Sequence, residues 1–134
     1  GIRDYKVTGV QTCALPISRN RGSIFFTGAT ASMRGGKGYS AFASAKFGLR
    51  ALAQSMAREL GPQNIHVAHL IIDSGVDTAW VRERIAASGR NLDELGEDVL
   101  MNPASIGRTY WMLHQQSRDA WTHEMDLRPF GETF

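Results

Sequence analysis

Tyr39 and Lys46 stand seven residues apart in the stretch GYSAFASAKFG. Seven residues make nearly two helical turns, so on a helix both side chains face one side. An ammonium beside a phenol favours the phenolate, which suits proton donation to a developing oxyanion. The pattern also allows blander roles, a snorkelling lysine at a helix edge and an aromatic covering the core. Two glycine-bearing stretches carry less. Thr27-Gly28-Ala29-Thr30 follows an apolar run, but Ser32 and Arg34 fall where a dinucleotide loop needs glycine for close backbone approach. Gly35-Gly36-Lys37-Gly38 is no phosphate-binding Walker loop, since no Ser or Thr follows Lys37. His66, His69, His114 and His123 show no metal-ligand spacing, and Cys13 is the single cysteine. Neither a disulfide framework nor a metal site is expected.

The elements that would position these residues can be read from periodicity. Ser23–Gly28 (SIFFTG) is a short apolar, aromatic run bounded by glycines, which predicts a buried strand. Residues 28–40 are small, polar and glycine-rich and read as a loop. From Ser40 to Leu60 strong helix formers dominate, and Phe42, Leu49, Leu52, Met56 and Leu60 recur at roughly helical spacing. Leu49, Leu52 and Met56 read as core in the first place and otherwise as an interface between subunits, and Gly61-Pro62 stops the helix. Ile65–Ile72 (IHVAHLII) is apolar at nearly every position, as in a parallel strand covered on both faces. Asp77 or Thr78 caps a helix through Val81 and Ile85, and residues 88–102 read as a loop or short helix. Pro103 opens a helix running through Ile106, Tyr110 and Leu113 to about Gln116. Trp121–Leu127 alternates Trp121, His123, Met125 and Leu127 against Thr122, Glu124 and Asp126, a strand pattern. Alternating strands and helices imply a parallel α/β sheet with helices on both faces.

Composition narrows the function classes. The 134 residues carry 15 Lys+Arg against 13 Asp+Glu, with no basic run. That argues against nucleic acid or an acidic membrane surface as partner. No apolar stretch approaches the length of a membrane span. A small, soluble, cytoplasmic domain is expected. The first eighteen residues, GIRDYKVTGVQTCALPIS, show no sustained period and resemble the translation of an indexed short-read sequencing adapter. On that reading residues 1–18 are non-native and 19–134 are the C-terminal part of a longer domain.

The stretch from GSIFFTGATAS through YSAFASAKFGLRALAQSMARELGPQNIHVAHLIIDSGVDT resembles the second half of a short-chain dehydrogenase/reductase. The resemblance implies the C-terminal half of a Rossmann-type, doubly wound parallel sheet, and hydride transfer to or from NAD or NADP. It makes Ser23–Gly28 the fifth strand and Ile65–Ile72 the sixth. The family's YxxxK motif has its lysine at Lys46, but Phe42 stands in the tyrosine position and Ala29 in the serine position. The Pro-Gly that lines the nicotinamide pocket is replaced within Ile72-Asp73-Ser74-Gly75, whereas Thr78 matches the threonine that contacts the carboxamide.

The divergent enoyl-acyl-carrier-protein reductases use Tyr-x6-Lys, and Tyr39 to Lys46 has that spacing. The resemblance therefore implies Tyr39 and Lys46 as catalytic residues, and Lys46, Asp73, Gly75 and Thr78 at the cofactor. It implies an atypical oxidoreductase acting on a small carbonyl, hydroxyl or enoyl substrate, homo-oligomeric when complete and inactive as this stretch alone. The rival expectation, carried by Phe42 and Ala29, is a dehydrogenase-like scaffold that binds a nucleotide or a partner subunit without turnover.

Overall fold

The computed structural model describes residues 16–132, with nothing said of the side chain of residue 93. Most of the adapter-like segment, residues 1–15, lies outside the described residues. Residues 16–19 are helical, although no regular element is expected from the sequence there. Two backbone bonds close the turn, Asn20 N–H to the Ile17 carbonyl at 3.2 Å and Arg21 N–H to the Pro16 carbonyl at 3.3 Å, and Pro16 brings a pre-set helical φ.

The main elements run β1 (Gly22–Ala29), α1 (Ser40–Leu60), β2 (Ile65–Ile72), α2 (Ala79–Ala87), α3 (Pro103–His114) and β3 (Glu124–Leu127). The three strands form one parallel sheet in the order β1-β2-β3. Every residue of β2 is buried, as expected of a central strand apolar at all but His66 and His69. Side-chain alternation sends Ile65 and Val67 to one face, where Ile24, Phe26, Met56, Ala57 and Leu60 pack with them. Ala68, Leu70 and Ile72 point to the other, against Leu113, Ile106, Tyr110, Met125 and Leu127. Helix α1 thus covers one face and α3 the other, the doubly wound α/β arrangement.

Helix α1 keeps the bounds expected from composition. Gly61 is its C-cap, with Pro62 in the short 3₁₀ turn Gly61–Gln63. One expectation on its packing fails: Leu52 is exposed, while Met56 joins the core. The close contact with the sheet is made by Ala43, Ala53 and Leu60, the buried residues of α1. Of the two candidate caps for α2, Thr78 takes the role, its Oγ1 accepting from Val81 N–H at 3.3 Å. Asp77 instead forms an ion pair with Arg82. Asn102 caps α3, its side chain accepting from Ala104 N–H at 2.8 Å.

Strand β3 begins at Glu124 rather than Trp121. Gln116 holds the preceding segment by its side chain, accepting from Thr122 N–H and donating to Thr122 Oγ1, both at 2.8 Å. That bond takes up a backbone donor the ladder would have used. Among the described residues no helix is long and apolar enough to cross a membrane.

Candidate functional site

β1 and β2 are in register from Gly22↔Ile65 to Ala29↔Ile72, so both strands end at one level. Ligands of open α/β sheets bind in the crevice beyond the carboxyl ends of the strands. A cavity of about 410 Å³ opens there, lined by Ala29, Thr30, Ala31, Arg34, Gly35, Gly36, Tyr39, Phe42, Ile72 and Ser74. The glycine-rich loop delivers Tyr39 to the start of α1. Tyr39 N–H donates to the Gly36 carbonyl at 3.0 Å, and Tyr39 is the residue that caps the helix. Gly38 sits at φ +83°, left-handed backbone that a residue with a Cβ resists.

The hydroxyls lining the cavity differ in what they have left to offer. Thr30 donates to Asp73, and Ser74 donates to the Val99 carbonyl at 3.2 Å. Each has spent its single proton. The Tyr39 hydroxyl has no hydrogen-bond partner among the described residues, and Tyr39 is 55% exposed. Lys46 Nζ donates to the Thr27 carbonyl at 2.8 Å, which leaves two of its N–H groups uncommitted among the described residues. No hydrogen bond joins it to Tyr39 there. The Phe42 ring contacts both, lying 5.7 Å from Lys46 Nζ and 6.4 Å from the Tyr39 ring centroid. The spacing that places both residues on one side of the helix therefore brings them to a shared aromatic neighbour.

The other residues singled out from the sequence divide in two. Thr78 Oγ1 accepts from the helix, so its hydroxyl proton remains available. Gly75 is packed under Leu100, whose Cδ2 would lie 2.9 Å from a Cβ at this position. Asp73 is 9% exposed and turned inward. Its carboxylate accepts from Thr30 and lies 3.4 Å from the Arg128 guanidinium. Asp73 thus ties the loop after β1 to the segment after β3.

Sequence reasoning missed a chain of polar contacts directly beneath the cavity. Arg50 makes two hydrogen bonds to Glu124, at 2.7 and 2.6 Å. Glu124 lies 3.0 Å from His69 Nδ1, and His69 Nε2 lies 3.5 Å from Ser32 Oγ. Ser32 Oγ accepts from Ala29 N–H at 3.1 Å. The Arg50 guanidinium, followed by the His69 contact, holds the Glu124 carboxyl below its ordinary range. An ionised carboxylate only accepts, so His69 presents an Nδ1–H to Glu124. His69 and Ser32 are fully buried, so Ser32 cannot meet a substrate or replace the serine absent at Ala29. A Cβ on Gly28 would collide with the His69 imidazole and with Ser32 Oγ, which explains the glycine in a strand interior. The missed signal was His69 itself, a polar residue in a strand buried on both faces, which must find partners.

On the opposite face Thr27 Oγ1 and Tyr110 Oη are 2.6 Å apart, and burial pushes the Tyr110 phenol above its ordinary pKa. Among the described residues no group of three or more His, Cys, Asp or Glu is placed to hold a metal.

The family model described as enoyl-(acyl carrier protein) reductase matches residues 4–126. No curated protein matches the chain. A solved short-chain dehydrogenase from Rhodopseudomonas palustris is 49% identical over 92% of this chain and 46% of its own, with a TM-score of 0.65. Two more distant structures share the fold. A serine dehydrogenase complexed with NADP+ has 16% identity and a TM-score of 0.74, covering 89% of this chain and 48% of its own. An NADPH-bound short chain oxidoreductase from Pseudomonas aeruginosa PAO1, described as containing an atypical catalytic center, has 19% identity and a TM-score of 0.66, covering 84% and 46%. The chain spans about half the length of these structures. With its parallel α/β sheet and a family match over nearly its whole length, the chain belongs to the short-chain dehydrogenase/reductase family.

Proposed function

We propose that this chain is part of an atypical NAD(P)-dependent oxidoreductase acting on a small carbonyl, hydroxyl or enoyl substrate, with Tyr39 as its proton donor. One observation carries the reading. At the carboxyl ends of the parallel strands, Tyr39 presents the lining hydroxyl that no described neighbour has claimed. Lys46 fits a ribose, because two of its N–H groups are uncommitted, and Thr78 fits a carboxamide through its free hydroxyl proton. Gly75 leaves room for the Leu100 side chain at the same edge, and Asp73 acts by holding the turn in place. A bound nicotinamide would supply or accept the hydride. Tyr39 would give its proton to the substrate oxygen as charge develops there. The sequence holds no GxxxGxG loop, so residues 19–134 are read as the C-terminal part of the domain, and the 134-residue chain alone is expected to bind NAD(P) weakly. Exposed Phe47 and Leu52 on α1 support self-association of the complete protein, which is read as cytoplasmic.

Turnover tests this. The complete protein is assayed against carbonyl and enoyl substrates by the absorbance of reduced nicotinamide. Tyr39→Phe is expected to abolish most activity, and Lys46→Ala to impair both rate and cofactor affinity. A second reading, a scaffold that binds nucleotide or a partner subunit without turnover, is favoured by Phe42 and Ala29. It predicts no turnover in any variant but retained binding. If Tyr39→Phe is silent while Phe42→Tyr with Ala29→Ser raises activity, the proton donor has been wrongly assigned and the family membership stands.

A further inference from the structure

We infer that the cavity at the strand ends takes a substrate with an apolar body and a carboxylate, and that Arg34 holds the carboxylate. This rests on the reading of that cavity as the substrate's place. Its walls are Ala29, Ala31, Ile72 and the rings of Tyr39 and Phe42, which offer dispersion contacts and no charge. Arg34 is the one charged residue of the lining. Its backbone N–H donates to the Thr30 carbonyl at 3.2 Å, which fixes where its side chain starts. Its guanidinium has no ion pair or hydrogen bond among the described residues.

No counter-charge is supplied from within. Asp73, between the lining residues Ile72 and Ser74 in the chain, is taken by Thr30 and Arg128, and Thr30 and Ser74 have given their protons elsewhere. A planar guanidinium at the rim of an apolar cavity matches a carboxylate through two parallel hydrogen bonds. Arg34 and Tyr39 line one cavity, so a substrate anchored by its carboxylate can present a second oxygen to the phenol. An exposed arginine that is merely solvated predicts no selectivity between an acid and its amide.

Hydrocinnamate and hydrocinnamamide have the same shape and differ in charge, so they separate these cases. Each is titrated into the complete protein by calorimetry at low salt, and amide shifts of Ala29, Thr30 and Tyr39 report occupation of the cavity. Hydrocinnamate is expected to bind about tenfold more tightly than the amide. Arg34→Gln is expected to erase the preference and Arg34→Lys to retain part of it. Equal binding of acid and amide with cavity shifts overturns the role of Arg34 and leaves the substrate site intact. A preference that survives Arg34→Gln assigns the carboxylate to another cation and also overturns it. Absence of cavity shifts with either ligand overturns the proposed substrate class, while the assignment of Tyr39 stands or falls on turnover alone.

Discussion

Two polar regions meet at Ala29 and are built in opposite ways. Beneath it, the run from Arg50 through Glu124, His69 and Ser32 to the Ala29 amide is closed, each member contacting the next, with His69 and Ser32 fully buried at its centre. Above it, Tyr39 and Arg34 line the cavity with their hydroxyl and guanidinium unclaimed among the described residues. Burial explains the closed region, since an unmatched polar atom at zero exposure loses its hydration with nothing in return. Solvent explains the open one, since an exposed group can wait for a ligand at little cost. The contrast separates groups that hold the fold from groups that can do chemistry.

Substitutions can break or sharpen that contrast. The largest effect is expected on the open side: Tyr39→Phe should lower turnover of the complete protein by about 10²–10⁴. Its unfolding free energy should stay within about 0.5 kcal/mol of the parent. A variant that loses stability as well as rate would place Tyr39 with the structural groups.

On the closed side the ranking reverses. His69→Phe removes the imidazole that Glu124 and Ser32 both meet and should cost about 1–3 kcal/mol in urea unfolding. Gly28→Ala should cost a similar amount, about 1–3 kcal/mol, because its Cβ meets the imidazole. If either variant is as stable as the parent, the chain of contacts does not hold the strands together.

Acid should reveal the same network. Glu124 is depressed in the folded chain, so its contribution is present above the unfolded value of about 4.3. It is lost as pH falls through the lower folded value. A plot of unfolding free energy against pH should steepen in that acid range and flatten for Glu124→Gln. The smallest effect lies far from both regions. Asn102→Ala removes the cap of α3 and should cost about 1 kcal/mol with no change in ligand binding.

The elements were legible in the sequence because each is decided by near neighbours. A stretch of eight residues, apolar at all but His66 and His69, makes β2, and helix formers between a glycine loop and Gly61-Pro62 bound α1. The parallel α/β class follows from their alternation. The family was legible for a related reason, since the stretches that carry the resemblance, around Gly28 and around Lys46, are each contiguous in the chain. Tyr39 at the cavity was also within reach, its spacing to Lys46 being local.

What joins residues far apart in the chain was decided by tertiary structure alone. Glu124 reads as an outward polar residue of an alternating strand, yet it meets Arg50 across 74 residues and His69 across 55. Asp73 accepts from Thr30, 43 residues earlier, a contact that no local pattern announces. Leu52 has the helical spacing of a core residue and lies exposed, since Ala43, Ala53 and Leu60 make the close approach. Periodicity fixes which face a side chain takes; what fills that face depends on which distant segment packs there.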